Sequence, residues 1–374
     1  MTALRDIYKK ALNLDPLPVS EGVLLYKSAP LEELMFLGDR LRSLHVPGNN
    51  VGWQIDRNVN ITNICFSQCK FCNFCRKPGD TDTYITTMEQ YEKKIEELFR
   101  MGGNQLLLQG GMHPGLGITF YEDLFRSLKE RFPDLKLHAL GPPEVVHLAR
   151  KDSRSVREVL GRLVSAGLDS LPGAGAEILS DRVRHIVSPA KATSAEWLDV
   201  MREAHIMNLP TSATMMFGHV ETIQERIEHL VSLRSLQDER PQGNIGFISF
   251  IPWPFQDEGT VLADRHGVRS SVSQADYLRL IAISRIMLNN ITNIQTSVLT
   301  TGRDTGIIAL RSGANDVGSV MIEENVVSAA GRSVIYSAAE LKSAIIEAGF
   351  TPVLRNQKYE IISESFISGH RDQS

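Results

Sequence analysis

The sequence predicts an α/β protein built as a (β/α)8 TIM-type barrel, with a helical extension before it and a helical and strand cap after it. Three observations lead there. Short apolar runs recur along the chain and end in glycine or small residues, as buried parallel strands do. Helical patterns, several opened by a capping box, lie between them. The chain has 374 residues, enough for a single α/β barrel with additions at both ends.

The elements follow in order. Residues 1–50 read as a helical cap, with apolar residues at helical spacing over 29–41. The barrel is expected over 51–335 and a C-terminal extension packed on it over 336–374. A first strand is expected at 58–63, leading into a loop that holds every cysteine. Thr87 and Gln90 form a capping box, and Tyr91, Ile95, Leu98 and Phe99 line one face of the helix that follows, which stops at Gly102-Gly103. Later strands are expected at 105–109, 135–140, 170–173, 211–218, 246–251, 293–297 and 318–321. Thr193 with Glu196 and Ser337 with Glu340 are further capping boxes, the last opening a C-terminal helix that ends near Ala348-Gly349.

Hydrophobic content of 42% and charged content of 22% are ordinary for a globular chain. The net charge of −4 and the absence of a basic tract argue against nucleic acid as a partner. The charged start of the chain lacks the apolar core of a signal peptide, and no stretch has the length of a membrane span. The expected location is therefore cytoplasmic. Four cysteines within eleven residues make a poor disulfide framework and read as a metal or redox site in a reducing compartment.

Those cysteines are Cys65, Cys69, Cys72 and Cys75. The first three have spacings of three and two intervening residues. Three thiolates hold three irons of a [4Fe-4S] cluster and leave the fourth open. An open iron can take the amino and carboxylate groups of S-adenosylmethionine (SAM), and reductive cleavage then releases a 5′-deoxyadenosyl radical, the chemistry being the cofactor's and the orientation the protein's. Two other readings use Cys75 as a fourth ligand: a four-cysteine zinc site and a closed electron-transfer cluster. Crowding counts against zinc, whose sites pair two cysteine hooks far apart in sequence.

Other segments carry less by themselves. Gln109-Gly110-Gly111 is either a tight strand end or a place where a ligand approaches the backbone. Glu177 reads either as a surface carboxylate favoured by a helix start or as an acceptor for ribose hydroxyls. His219 ends a strand, where barrel enzymes place substrate groups. Met215 and Met216 read as barrel interior.

Taken together, the cysteine loop, Gln109-Gly110-Gly111, the segment 173–177, the segment 214–222, Ile251-Pro252-Trp253-Pro254-Phe255-Gln256 and Gly313-Ala314-Asn315-Asp316 resemble the radical SAM group of menaquinone and deazaflavin biosynthesis. That group includes aminofutalosine synthase, the deazaflavin (FO) synthase subunits and cyclic dehypoxanthinyl futalosine synthase. Asp56-Arg57-Asn58, the Trp253 segment and residues 321–327 make the chain most similar to the last branch. The resemblance spans roughly residues 50–335.

It implies a radical SAM cyclase of the futalosine route to menaquinone. Such an enzyme closes dehypoxanthine futalosine, a ribose-like sugar joined to a benzoate, through hydrogen abstraction and carbon–carbon bond formation. It implies Cys65, Cys69 and Cys72 as cluster ligands, with Phe71, Gln109, Gly110, Gly111 and Glu177 around SAM. It implies His219 and Asp316 as catalytic residues, and Asp56, Trp253, Gln256, Asn315 and Glu324 around the substrate. A flavodoxin or ferredoxin is the implied electron donor. The tyrosine-using FO synthase subunit and aminofutalosine synthase are the enzyme alternatives, and an iron–sulfur electron carrier is the non-enzyme one. Cys75, Gly141 and Val298 depart from the group's usual tyrosine, serine and tryptophan.

Overall fold

The computed structural model describes residues 2–323 and 336–362. Three helices, Thr2–Leu12, Val19–Ser28 and Leu31–His45, form the N-terminal extension. Among the described residues nine strands follow: β1 (Asn50–Gln54), β2 (Asp56–Asn60), β3 (Gln105–Gln109), β4 (Lys136–Ala139), β5 (Thr211–Phe217), β6 (Phe247–Pro254), β7 (Asn293–Ile294), β8 (Asp316–Ser319) and β9 (Thr351–Leu354). Helices separate most of them, so the chain is a parallel α/β protein.

All named pairings are parallel. The orders are β8-β1-β9, β2-β3-β4 and β5-β6-β7. Single bridges join these groups: His138 with Ser170, Leu171 with Thr211, and Gln295 with Asp316. The strand expected at 170–173 is thus reduced to the two bridged residues Ser170 and Leu171. Pro172 follows them and has no N–H to donate to a ladder. The expected first strand is split and begins earlier. β1 and β2 are separated only by Ile55, and β1 carries the pairing to β8 and β9.

Local chemistry explains the helix starts. The boxes Thr87/Gln90, Thr193/Glu196 and Ser337/Glu340 are all formed, each side chain bonding the other residue's backbone N–H. Further boxes stand at Ser155/Glu158, Thr222/Glu225 and Ser273/Asp276. β5 is buried along its whole length. Trp197 stacks on Phe247 at 6.4 Å between centroids, which ties a helix to β6. Among the described residues, no helix is long and apolar enough to cross a membrane.

Candidate active site

β2 delivers the chain into the cysteine loop. The loop's exit is bonded back onto its entry: Cys65 N–H donates to Arg76 O at 3.0 Å and Arg76 N–H to Asn63 O at 2.8 Å. The Asn63 amide spans to Asp82 O and Tyr84 N–H, and the Arg76 guanidinium donates to the carbonyls of Asn73 and Cys75. Lys70 fastens the tip to two distant segments, through Val187 O at 2.8 Å and Leu262 N–H at 2.7 Å. The loop is therefore built by contacts far apart in sequence.

Gly110 and Gly111 set how closely β3 passes this loop. A Cβ on Gly111 would lie 2.2 Å from Ile64 O and 2.9 Å from Cys65 Cβ; one on Gly110 would meet Thr62 backbone at 3.1 Å. Gly111 N–H donates to Thr62 O at 2.7 Å. The close approach brings Met112 N–H to within 3.2 Å of Cys65 Sγ. Ser67 Oγ sits between two sulfurs, 2.9 Å from Cys65 Sγ and 3.2 Å from Cys69 Sγ.

All four cysteines are free and line one cavity of about 430 Å³. The Cys65 thiol is held down to about 5: the Cys75 thiol hydrogen-bonded to it outweighs burial, and the Ser67 and Met112 donors add to this. Burial pushes Cys69 up to about 11 and raises Cys72. Cys75 is raised by its bond to Cys65 and by burial, and its Sγ also donates to Cys65 O at 3.2 Å.

The donor set fits an iron–sulfur cluster. Cys65 already receives the Ser67 and Met112 backbone N–H bonds, as a ligating thiolate does, and Cys69 and Cys72 border the same space. Among the described residues no three of His, Cys, Asp or Glu converge as a single-ion site requires. A multi-iron cluster instead needs each sulfur on its own iron.

Beside the loop stands a buried ion pair. Lys191 Nζ donates to Glu177 Oε1 at 2.8 Å and lies 5.2 Å from the Phe71 ring centre. Glu177 has φ +44°, and its carbonyl accepts Met216 N–H at 3.0 Å, which points the carboxylate inward. The helix after it begins only at Asp181, so Glu177 is a buried cavity residue and neither a surface carboxylate nor a helix-start one. Burial pushes its carboxyl up, but Lys191, with Arg184 and His219, leaves it below its ordinary value. Arg184 ties the loop together by donating to Ala176 O at 2.7 Å and Ala192 O at 2.8 Å.

The cavity also takes in Phe71, Gln109, Gly110, Gly111, Asp56, Trp253 and Gln256. It does not take in His219, Asn315 or Asp316. The His219 ring is enclosed: Nε2 is 3.0 Å from Met216 O and Nδ1 accepts Val220 N–H at 2.8 Å. Asn315 is used up as a brace, its Oδ1 accepting from Arg285 and from Ile294 N–H. Asp316 is sealed behind Arg355, whose Nη2 donates to its Oδ1 at 2.8 Å. The polar atoms of all three are held by neighbouring residues behind the cavity wall. Glu324 lies outside the described residues.

Several lining groups escaped the sequence reading. Lys191, His138, Gln54, Gln105, Arg355, Gln357 and Tyr359 all border the cavity. For His138 and Gln105 a signal existed, since each is a polar residue inside or opening an apolar run. For Lys191 and the residues after β9 there was none.

Comparison with known proteins completes the picture. Residues 59–233 match the Radical SAM superfamily and residues 244–366 match the CofH/MqnC C-terminal region. The chain belongs to the CofH/MqnC family of radical SAM proteins. It is 39% identical over 360 residues to "Cyclic dehypoxanthine futalosine synthase" of Streptomyces coelicolor, covering 96% of this chain and 88% of that one. It is 40% identical to the protein of that name from Halalkalibacterium halodurans, covering 96% and 95%. It is also 36% identical to "5-amino-6-(D-ribitylamino)uracil--L-tyrosine 4-hydroxyphenyl transferase" of Methanothermobacter thermautotrophicus, covering 97% and 99%. Two solved structures share the fold: HydG, a maturase of the [FeFe]-hydrogenase, at TM-score 0.71 and 15% identity, covering 99% of this chain and 78% of that one, and methylornithine synthase (PylB), at TM-score 0.68 and 19% identity, covering 92% and 97%. As a radical SAM enzyme the chain acts on a small molecule and needs a reductant.

Proposed function

We propose that this radical SAM enzyme closes dehypoxanthine futalosine to its cyclic form, in the futalosine route to menaquinone. The observation that carries this reading is the 39–40% identity, over nearly the whole chain, to two bacterial proteins of that name. A second reading, the tyrosine-using step of deazaflavin synthesis, draws on the 36% identity to the methanogen transferase.

A [4Fe-4S] cluster on Cys65, Cys69 and Cys72, with SAM at its open iron, would supply a 5′-deoxyadenosyl radical. The chain's own residues bind, orient and exclude water. Gly110 and Gly111 keep β3 close enough for SAM's methionine end to lie along the backbone. Phe71 and Glu177, which line the same cavity, would hold its adenosine end. Trp253 and Gln256 border the substrate, where a wall that limits motion favours a near-attack geometry. Asp56 stands deeper. His219, Asn315 and Asp316 act as positioning residues, and Glu324 retains a substrate role.

The bridges through Ser170, Leu171 and Gln295, with the run from β1 into β2, support a (β/α)8 barrel as the frame. The division into a cap over 1–50, a barrel over 51–335 and an extension over 336–374 goes with it. A flavodoxin or ferredoxin would deliver the electron, in the cytoplasm.

The test is anaerobic incubation of the reconstituted protein with SAM, reductant and either dehypoxanthine futalosine or tyrosine with the ribityl uracil. Mass spectrometry should find the cyclised product in the first mixture. A product only in the second replaces this reading with the alternative.

A further inference from the structure

The deep end of the cavity is made of groups that barrel interiors seldom hold. Such interiors are normally filled with branched aliphatic side chains. Here Gln54, Gln105, His138 and Ser319 face the space from the strands, and Arg355, Gln357 and Tyr359 enter it from the segment after β9. That segment is a short strap, pinned by a bridge between Arg355 and Ile361 and by Asn356 N–H donating to Glu360 O at 3.0 Å. Tyr359 has φ +62°, a conformation that side-chain-bearing residues rarely adopt.

Buried polar atoms normally find partners. Among the described residues, three that lack one border this cavity: Asn58 Oδ1, Gln105 Oε1 and Tyr359 Oη. Tyr359 Oη faces Ser249 outside hydrogen-bond geometry. Its ring lies 3.8 Å from the Arg355 guanidinium carbon. Arg355 gives Nε and Nη2 to Asp316, and Nη1 to Gln54 and Asn356 O. One Nη2 N–H remains uncommitted among the described residues. This polar wall therefore carries unpaired acceptors on β2 and β3 and donors on the strap, the two joined through Gln54 and Asp56.

Of the lining residues, Lys191 and Arg355 carry the cationic groups. Lys191 is committed to Glu177 on the cysteine side. Arg355 is paired with Asp316, so what the strap offers an anion is the N–H that this pairing leaves over and the Tyr359 hydroxyl beside it. We propose that the strap over 355–361 receives the carboxylate of the substrate, with Tyr359 Oη and the remaining Arg355 N–H as donors, while Asn58 and Gln105 accept from its hydroxyls. Tyr359 is then the residue that selects a carboxylate-bearing substrate. This rests on the reading of the substrate as a benzoate joined to a sugar.

The experiment uses the full chain with its reconstituted cluster and SAM. Dehypoxanthine futalosine and its analogue with a carboxamide in place of the carboxylate are titrated by calorimetry. The parent should prefer the carboxylate by roughly tenfold or more, the scale of a hydrogen bond to a charged group. Tyr359→Phe, which keeps the ring on Arg355, should cut that preference about tenfold. Gln105→Met should weaken both ligands alike. Lys358→Ala, on the exposed side of the strap, is the control and should keep the parent's preference. A parent that binds acid and amide equally, or binds neither, overturns the proposal, as does a Tyr359→Phe variant with the parent's preference. Product formation is scored separately: a carboxylate preference without cyclised product supports the strap and refutes the cyclase reading.

Discussion

Removing Lys191 should turn the loop beside the cysteines from a stable feature into an unstable one. Lys191 Nζ is 2.8 Å from Glu177 Oε1, and the two side chains are 15% and 4% exposed. Lys191→Met keeps the length and apolar stem of the side chain but leaves the Glu177 carboxylate buried without its nearest cation. Breaking a buried pair from one side costs about 3–5 kcal/mol. Arg184 and His219 still act on Glu177, which places the loss at the lower end of that range, about 3 kcal/mol. The double variant Lys191→Met/Glu177→Gln should recover most of it, because no charge is left stranded. The pH dependence separates this account from a simple packing defect. In the parent the Glu177 carboxyl lies below its ordinary value of 4.5. Its contribution is therefore present above 4.5 and lost as the pH falls through the lower folded value. In the single variant burial governs, the carboxyl rises above its unfolded value, and stability increases as the pH falls from about 7 to about 5. Urea unfolding of the three proteins across that range decides the matter. A loss below about 1 kcal/mol, or a variant with the parent's pH slope, would falsify the account.

Alanine at Cys65, Cys69 or Cys72 should remove bound iron and abolish reductive SAM cleavage, while Cys75→Ala keeps both; equal loss at all four positions would make Cys75 a ligand. Gly111→Ala places a methyl 2.2 Å from Ile64 O and should destabilise by about 1–3 kcal/mol with reduced iron content. Gly110→Ala, whose nearest contact is 3.1 Å, should cost less, and thermal unfolding with iron analysis ranks the two. His219→Ala should lower the unfolding free energy by about 1–3 kcal/mol, since it leaves Met216 O and Val220 N–H without a partner. It should raise the substrate KM less than Trp253→Ala does; the reverse order would put His219 in contact with substrate.

Local patterns were legible because their partners are neighbours in sequence. Thr87 and Gln90, Thr193 and Glu196, and Ser337 and Glu340 meet within one helical turn, so residue type and spacing suffice. The strands were legible only in part. β1 carries Asn50, Gly52 and Gln54 among its five residues and has no apolar run, and its partners Asp316 and Thr351 lie hundreds of residues away. The strand expected at 170–173 has the right composition, but Pro172 ends its pairing.

What the sequence determined by itself is the cysteine spacing, the glycines beside it and the family motifs, because ligand type and backbone clearance are properties of individual residues in a short loop. What tertiary structure decided is which polar side chains face the cavity. Glu177 turns inward because its carbonyl is held by Met216 and its carboxylate by Lys191. His219, Asn315 and Asp316, motif residues by sequence, are enclosed by neighbours that use up their polar atoms. Arg355 and Tyr359 reach the cavity only because β9 pairs with β1, some 300 residues earlier. Side-chain direction depends on such distant pairings, and no local pattern encodes them.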